Sequence, residues 1–190
     1  MEDLQQGSRW AIVADKPMTL SRGKRLEDLA KALEVMLTEL GDRGVNRVLF
    51  QLGSPPFDNI LPTTWSVLEM KYLIKIRRYF GGGGHFHLTS HGWLAAMEAS
   101  GQLSSDYFNR RIGALMRAMK DRVDINGRKK IGFASVEAIA STAEVSQGFV
   151  WNIVDSHALF VLQNRIGAGW ANNGRGVLIR IPVDFGQEPL

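Results

Sequence analysis

The sequence predicts a mainly helical fold with short β-hairpins, arranged as two similar units in tandem. Apolar residues recur at three- and four-residue steps in several segments, which is the periodicity of amphipathic helices. Short apolar runs also flank two glycine-containing turns, a pattern typical of β-hairpins. The order of helix, short helices and hairpin occurs once in each half of the chain, without a strict internal sequence repeat.

Composition narrows the class of protein before any motif is considered. The 190 residues are 45% hydrophobic and 22% charged, which is typical of one folded domain or two small ones. The absence of cysteine excludes disulfide scaffolds, Cys-ligated zinc, iron–sulfur clusters and thiol nucleophiles. The apolar runs are too short to span a bilayer and the N-terminus lacks a signal-peptide pattern, so we expect a cytoplasmic protein without a membrane partner.

The first half of the chain is predicted to contain an arm, a long helix, a proline-containing loop and a second helix. Residues 1–23 are expected to form the arm, because Pro17 argues against a helix there. A leucine-rich stripe predicts a helix over Lys24–Leu40, and this stripe forms either protein core or the seam of a homodimer. After the loop, Thr63 or Thr64 can cap the next helix.

A hairpin and a closing helix complete the first half. Two strands, Ile74–Phe80 and His85–Leu88, are predicted around Gly81–Gly84, because glycine supplies the positive φ that such turns need. The glycine run also has the composition of a phosphate-binding loop, but no Lys-Ser/Thr pair follows it, which favours a flexible hairpin tip. The closing helix is predicted at about Gly92–Ala99.

The second half begins with a basic helix. Ser104 or Ser105 can cap it, and it is predicted to run to about Arg122. Arg110 and Arg117 share one face, which is either solvated or in contact with nucleic acid. The apolar face predicted to be buried consists of Phe108, Ile112, Leu115 and Met119.

Two short helices and a second hairpin follow a polar connector. The connector contains a turn signal at Asn126–Gly127. The helices are predicted at about Val136–Thr142 and Gln147–Leu159. The hairpin turns at Asn173–Gly174, and its predicted strands are Ala168–Trp170 and Val177–Pro182.

The segment VEAIASTAEVSQGFVWNIVDSHAL, residues 136–159, resembles a helix-turn-helix and, with the hairpin behind it, the winged-helix family. Ala140 stands where the two helices would touch, and Ser146 can cap the second helix. Glu144 takes the turn position that glycine usually fills. The resemblance covers about residues 104–185, and the apolar positions that would pin both helices to a third are Ile139, Ala143, Val145, Val150 and Ile153.

A second resemblance covers residues 24–101. The stretch HFHLTSHGW, residues 85–93, is similar to the last wing strand and the start of the closing helix in MarR-like winged helices. The two resemblances divide the chain into the arm, a first winged-helix-like unit at 24–101 and a second at 104–185. Because tandem winged helices occur in transcriptional regulators and in replication initiators, they imply a non-catalytic protein that binds duplex DNA.

Charge is distributed in blocks along the chain. The net charge is +4 and the sequence pI is about 9.6, which permits an anionic partner without requiring one. Residues 71–78 and 104–130 are rich in Lys and Arg, whereas residues 131–164 contain neither. The predicted helix-turn-helix is therefore an acid-only segment between basic ones.

The resemblance implies which side chains of the second unit would contact DNA. Gln147, Trp151 and Asn152 would face base edges in the major groove, where Gln and Asn can pair with adenine. Phosphate contacts would come from the wing, the basic helix and the connector between them. The predicted phosphate contacts are Arg110, Arg117, Arg128, Lys129, Lys130, Arg165, Arg175 and Arg180.

The same helix supports an alternative function. It lacks Lys and Arg, carries Asp155, and presents Trp151 where DNA-reading helices usually have a polar residue. A winged helix with such a face can act as a protein-interaction adaptor that does not bind DNA.

Three histidines supply the third and last hypothesis. His85, His87 and His91 form a candidate zinc set, as in a metal-dependent enzyme. No carboxylate lies nearby in the sequence, and histidines on a wing are more often solvent-facing or in contact with phosphate. We therefore expect no catalytic residue and no cofactor.

Overall fold

The computed structural model describes residues 22–125, 128–172 and 176–189. Within these ranges the chain is a mixed α/β protein with seven α-helices and two small antiparallel three-stranded sheets. It divides into two compact units: the first comprises residues 22–41 and 48–104, and the second comprises residues 42–47 and 105–189. No helix in the described ranges is both long enough and apolar enough to cross a membrane.

The first unit is built around a three-stranded sheet in which β1 (Phe50–Gln51) and β2 (Ile74–Arg78) flank the central strand β3 (Gly84–Leu88). Its central strand carries Phe86, whose ring packs against those of Phe50, Phe57 and Trp65 at centroid distances of 5.3, 5.0 and 4.7 Å. The elements are α1 (Arg22–Leu40), β1 (Phe50–Gln51), α2 (Pro62–Met70), β2 (Ile74–Arg78), β3 (Gly84–Leu88), α3 (Ser90–Ala99) and a 3-10 turn (Gln102–Ser104).

The leucine-rich stripe of α1 forms core of the first unit. Leu29, Leu33, Met36 and Leu40 are each at most 1% exposed. The predicted helix is thereby confirmed, and burial within the unit favours the core reading of the stripe over the dimer seam. The hairpin of β2 and β3 around the glycine run is also confirmed.

Two boundaries in the first unit differ from the prediction. Helix α2 begins at Pro62, with Leu61 at the N-cap position and no side-chain cap, so the predicted capping by Thr63 or Thr64 is wrong. Proline at this position needs no hydrogen-bond partner, because its missing N–H is one that a helix start leaves unsatisfied. Helix α3 begins two residues earlier than predicted, because Thr89 accepts a hydrogen bond from the Gly92 N–H and so caps it.

The second unit contains a basic helix, two short helices joined by a turn, and a second sheet in which β6 (Gly132–Ala134) and β7 (Gly169–Asn172) flank the central strand β8 (Val177–Ile181). The buried face predicted for the basic helix is confirmed, and Ser105 caps it by accepting from the Phe108 N–H. The elements are α4 (Asp106–Lys120), β4 (Asp124–Ile125), β5 (Arg128–Lys129), β6 (Gly132–Ala134), α5 (Val136–Ala143), α6 (Gln147–Asp155), α7 (Ala158–Gln163), β7 (Gly169–Asn172) and β8 (Val177–Ile181).

The single helix predicted at Gln147–Leu159 is instead two helices. The break is at His157, whose φ of 49° lies in the left-handed region and ends the regular helical path between α6 and α7. The arm predicted over residues 1–23 lies outside the described residues except for 22 and 23, which belong to α1. The turns predicted at Asn126–Gly127 and Asn173–Gly174 also lie outside them.

Candidate nucleic-acid interface

The two short helices predicted as a helix-turn-helix in the second unit form from local signals. Ser135 caps α5 and Ser146 caps α6, each accepting a hydrogen bond from a backbone N–H three residues on. Glu144 adopts φ 53° and ψ 43°, so this glutamate takes up the left-handed conformation that glycine usually supplies. The predicted pins Ile139, Ala143, Val150 and Ile153 are buried, and Val145 is half-buried.

Residues 42–47, which we call the covering segment, lie against α6. They stand in the sequence between the first helix and first strand of the first unit, yet they belong to the second unit. An added Cβ at Gly148 would lie 1.9 Å from the Asp42 carbonyl oxygen. The covering segment can therefore approach the helix this closely only because position 148 has no side chain.

Asn152 fastens the covering segment to α6. Its Oδ1 accepts a hydrogen bond from the Val45 N–H at 2.8 Å, and its Nδ2 donates to the Arg43 carbonyl oxygen at 3.3 Å. Asn152 is only 2% exposed. Its carboxamide thus satisfies the buried Val45 N–H and adds a hydrogen bond to the Arg43 carbonyl.

Trp151 and Asp155, the two residues that made this helix unusual, both have internal partners. The ring of Trp151 stacks on Trp170 at a centroid distance of 4.2 Å, and the Arg47 guanidinium lies 4.4 Å from the Trp151 ring. Asp155 accepts hydrogen bonds from Trp170 Nε1 at 2.6 Å and from Asn46 Nδ2 at 2.7 Å. Asp155 therefore joins the covering segment to the second sheet.

A second set of contacts joins the covering segment to the N-terminus of α6. The Arg111 guanidinium lies 3.3 Å from both Asp42 Oδ1 and Ser146 Oγ, and its Cζ stands 4.0 Å from the Phe149 ring centroid. The side chain of Arg111 is 19% exposed. This arginine of the basic helix is thus committed to holding the covering segment.

These contacts change the predicted base-reading surface. Of the residues of α6, all of which the structure describes, Gln147 alone is exposed. Trp151 is half-buried, and Asn152 is buried with both of its polar atoms bonded to the covering segment, so this structure does not present Asn152 to a base edge. The sequence signal for this burial was the pair Gly148 and Asn152, which lie one turn apart among apolar neighbours.

The predicted phosphate contacts of the second unit differ in their exposure and pairing. Arg110 and Arg117 lie together on the exposed face of α4. Arg165 is half-buried and pairs with Glu188 at 3.2 Å. The side chain of Lys129 and all of Arg175 lie outside the described residues, and the remaining candidates Arg128, Lys130 and Arg180 are exposed.

The first unit presents a polar sheet surface that the sequence reasoning did not assemble. Lys75 pairs with His87, and Arg77 pairs with His85, across the antiparallel strands β2 and β3. Directly opposite residues lie on the same face of a sheet. We call these four residues the basic sheet face.

The opposite face of the same strands is buried. Phe86 and Leu88 are 0% exposed and Ile74 is 1% exposed, whereas Lys75 and Arg77 are exposed and both histidines are half-exposed. The alternation in IKIR and HFHL, residues 74–77 and 85–88, was the sequence signal for this arrangement. One side of the sheet is core, and the other is available to a partner.

The hairpin that carries the basic sheet face has no acidic residue near it in the sequence. Residues 71–97 contain no Asp or Glu. Glu69, on α2, pairs with Arg78 through two hydrogen bonds of 3.2 and 2.8 Å. Burial and, to a smaller extent, the charge of Lys75 lower the pKa of His87 below its usual value of 6.5, which favours the neutral ring.

The candidate zinc set is not brought together. His85 and His87 share one sheet face, as predicted, and His85 Nδ1 makes a hydrogen bond with the Tyr79 hydroxyl. His91 lies in the first turn of α3. Among the described residues, no group of three or more His, Asp or Glu side chains is arranged to hold a metal ion.

Comparisons with known proteins add no family. Neither models of protein families nor curated proteins nor solved structures match the chain. Two features of the molecule therefore bear on its function: helix α6 with its covering segment, and the basic sheet face.

Proposed function

We propose that the chain is a non-catalytic DNA-binding protein of two winged-helix units, acting as a transcriptional regulator or in the manner of a replication initiator. The basic sheet face of the first unit is its principal DNA contact. The observation that carries this proposal is the placement of Lys75, Arg77, His85 and His87 together on an open sheet face, on strands that carry no acid.

The sheet topology supports the winged-helix part of the proposal. In both units the three strands have the order first, third, second, and the last two form a hairpin. In the second unit α5 and α6 precede this hairpin, and their connection passes through the left-handed Glu144. The second unit thus has a helix, a strand, a pair of helices and a hairpin in the order of a winged helix, whereas the first unit has the single helix α2 between β1 and its hairpin.

Electrostatics supports DNA as the partner. Lysine and arginine side chains that neutralise phosphates release counterions, and this release supplies most of the sequence-independent affinity. Lys75 and Arg77 are exposed, and the neutral imidazole of His87 can still donate or accept a hydrogen bond. The surface therefore has charges for phosphate and polar groups for sugar or base edges.

The first unit is a better candidate than the helix-turn-helix of the second. A reading helix must present several side chains to the major groove. Helix α6 presents Gln147 alone, and its remaining surface is occupied by the covering segment and Trp170. The same occupation removes the face on which a Trp151-centred protein adaptor would depend, so we argue only for DNA.

Titration of a fluorescent duplex at several salt concentrations tests the proposal. We expect the double variant Lys75→Ala/Arg77→Ala to bind more weakly. The negative slope of log K against log salt should become shallower by about 1.8, because each lost phosphate contact reduces its magnitude by about 0.9. The matched control is Arg110→Ala/Arg117→Ala, which removes the same charge from the exposed face of α4.

The outcomes separate the two surfaces. A larger loss of slope in the Lys75/Arg77 variant than in the control supports binding through the first unit. If the control loses more, the DNA contact lies on α4 instead. Absence of duplex binding at low salt would overturn DNA binding altogether.

A further inference from the structure

A single aromatic side chain projects from the tip of the first hairpin. Phe80 has a relative exposure of 110%, the highest of the exposed large hydrophobic side chains in the described chain. It lies between Tyr79, which is 47% exposed, and the glycine run. Single exposed apolar side chains are common on protein surfaces, so what matters for Phe80 is its position at the tip of a basic hairpin.

The local backbone holds this phenylalanine at the corner of a turn. Gly82 N–H donates to the Tyr79 carbonyl oxygen at 3.3 Å, which places Phe80 and Gly81 at the two central positions. Gly81 has φ +93°, the positive value that a type II turn needs at the second of these positions. The glycine therefore supports a turn whose other corner is the exposed Phe80.

The rest of the hairpin determines what this ring would meet. The strands that carry the tip also carry Lys75 and Arg77, and the residues from 71 to 97 include no acid. A polyanion drawn to the basic sheet face would bring its surface to the hairpin tip. In duplex DNA the apolar surface available there is the stacked face of the base pairs.

We propose that Phe80 inserts between adjacent base pairs of DNA bound to the basic sheet face. The hairpin then acts as a wedge that unstacks one base step and bends the duplex. Proteins that insert an apolar side chain in this way kink DNA by about 20–90°. This inference rests on the proposed DNA binding and adds to it the part of the DNA that is contacted.

A lipid bilayer is the competing partner for a basic hairpin with an apolar tip. Membrane-inserting surfaces present an apolar face of several residues. Here the tip offers one fully exposed ring followed by four glycines, Gly81–Gly84. A single flat ring fits a base step better than it fits an acyl layer.

The experiment measures unstacking separately from binding. A duplex rich in TA steps, the most easily unstacked, carries 2-aminopurine in place of some adenines. The fluorescence of 2-aminopurine rises when it is unstacked, and anisotropy of an end label reports binding of the same duplex. The proteins are the full chain and its Phe80→Ala, Phe80→Trp and Phe160→Ala variants, the last removing a phenylalanine that is 53% exposed on α7.

We expect the full chain to bind and to raise the 2-aminopurine signal severalfold. Phe80→Ala should keep the salt slope of binding, lose about tenfold in affinity, and abolish the rise, since stacking of an aromatic ring on a base contributes this order of affinity. Phe80→Trp should restore the rise, and Phe160→Ala should match the full chain.

Other results would overturn the wedge in distinguishable ways. Binding without a fluorescence rise, or an equal rise with Phe80→Ala, rejects insertion but leaves the proposed function intact. No binding by the full chain rejects both proposals. Tighter association with phosphatidylserine vesicles than with the duplex, lost in Phe80→Ala, assigns the ring to a membrane instead.

Discussion

The side chain of Asn152 holds the backbone of Val45 across 107 residues of sequence, with 2.8 Å between Asn152 Oδ1 and the Val45 nitrogen. This hydrogen bond and its companion to the Arg43 carbonyl join the covering segment to α6. The covering segment buries the face of α6 that a helix-turn-helix normally presents to DNA, so this face is not accessible in the second unit.

Replacing Asn152 should therefore lower the stability of the second unit. In Asn152→Ala, the buried Val45 N–H loses its partner while it remains against the helix, which costs about 1–3 kcal/mol. Urea denaturation followed by tryptophan fluorescence measures the free energy of unfolding. Gln147→Ala, at the exposed position of the same helix, should change it by no more than about 0.5 kcal/mol.

A glycine-to-alanine change should have opposite effects on stability at two helical positions. At Gly148 the added Cβ would lie 1.9 Å from the Asp42 carbonyl oxygen, so either helix or covering segment must move, and overpacking of this kind costs about 1–3 kcal/mol. At Gly113, on α4, the nearest atom would be the end of the flexible Arg117 side chain at 3.6 Å. Gly113→Ala should stabilise the protein by about 0.5–1 kcal/mol through helix propensity.

Thermal unfolding of both alanine variants provides the measurement. Gly148→Ala should also move tryptophan emission to longer wavelength, because displacement of the covering segment uncovers Trp151. Equal stability of the two variants would show that the covering segment does not pack on α6 as described.

Local features of the fold could be predicted because each depends on neighbours in sequence. The buried stripe that includes Leu29 and Leu33 follows from helical periodicity, and the cap of α4 by Ser105 follows from a serine before an apolar repeat. The hairpin of the first unit follows from its glycine run between alternating strands. None of these needs information about distant residues.

The candidate site could not be predicted in the same way. The contact of Asn152 with Val45, and that of Asp155 with Asn46, join residues more than a hundred positions apart, about which periodicity carries no information. Reading α6 alone therefore took Asn152 for a base contact when it is a structural side chain. Charge counting also identified the positive segment at 71–78 but not that Lys75 and Arg77 stand opposite two histidines.

Acid should destabilise the first unit through His87. Burial, and secondarily Lys75, lower the pKa of His87 in the folded protein, whereas the unfolded chain titrates near 6.5. As pH falls below 6.5 the unfolded chain binds the proton first. The contribution of the neutral His87 ring to the free energy of unfolding is therefore complete above pH 6.5 and is lost as pH falls towards and through the folded pKa. Urea unfolding at pH 7.5 and 5.5 should show this loss in the wild type and less of it in His87→Gln.

Lys75→Met distinguishes the two causes of this pH dependence. Removal of the lysine charge should return the pKa of His87 only part of the way towards its usual value, because burial is the larger cause. The loss of stability between pH 7.5 and 5.5 should therefore shrink without disappearing. An unchanged loss in both Lys75→Met and His87→Gln would assign the acid sensitivity to another group.

Removing one acid beside the hairpin should strengthen DNA binding. Glu69 holds Arg78 through two hydrogen bonds, and since these side chains are 35% and 58% exposed, the pair contributes no more than about 1 kcal/mol to stability. Arg78 follows Arg77 in β2, so its side chain leaves the other side of the strand. In Glu69→Gln we therefore expect the released guanidinium to steepen the salt slope of duplex binding by at most about 0.9. Glu34→Gln removes the same charge from an exposed position on α1 and should steepen it less. Equal effects of the two variants would mean that net charge, and not the position of Arg78, governs binding.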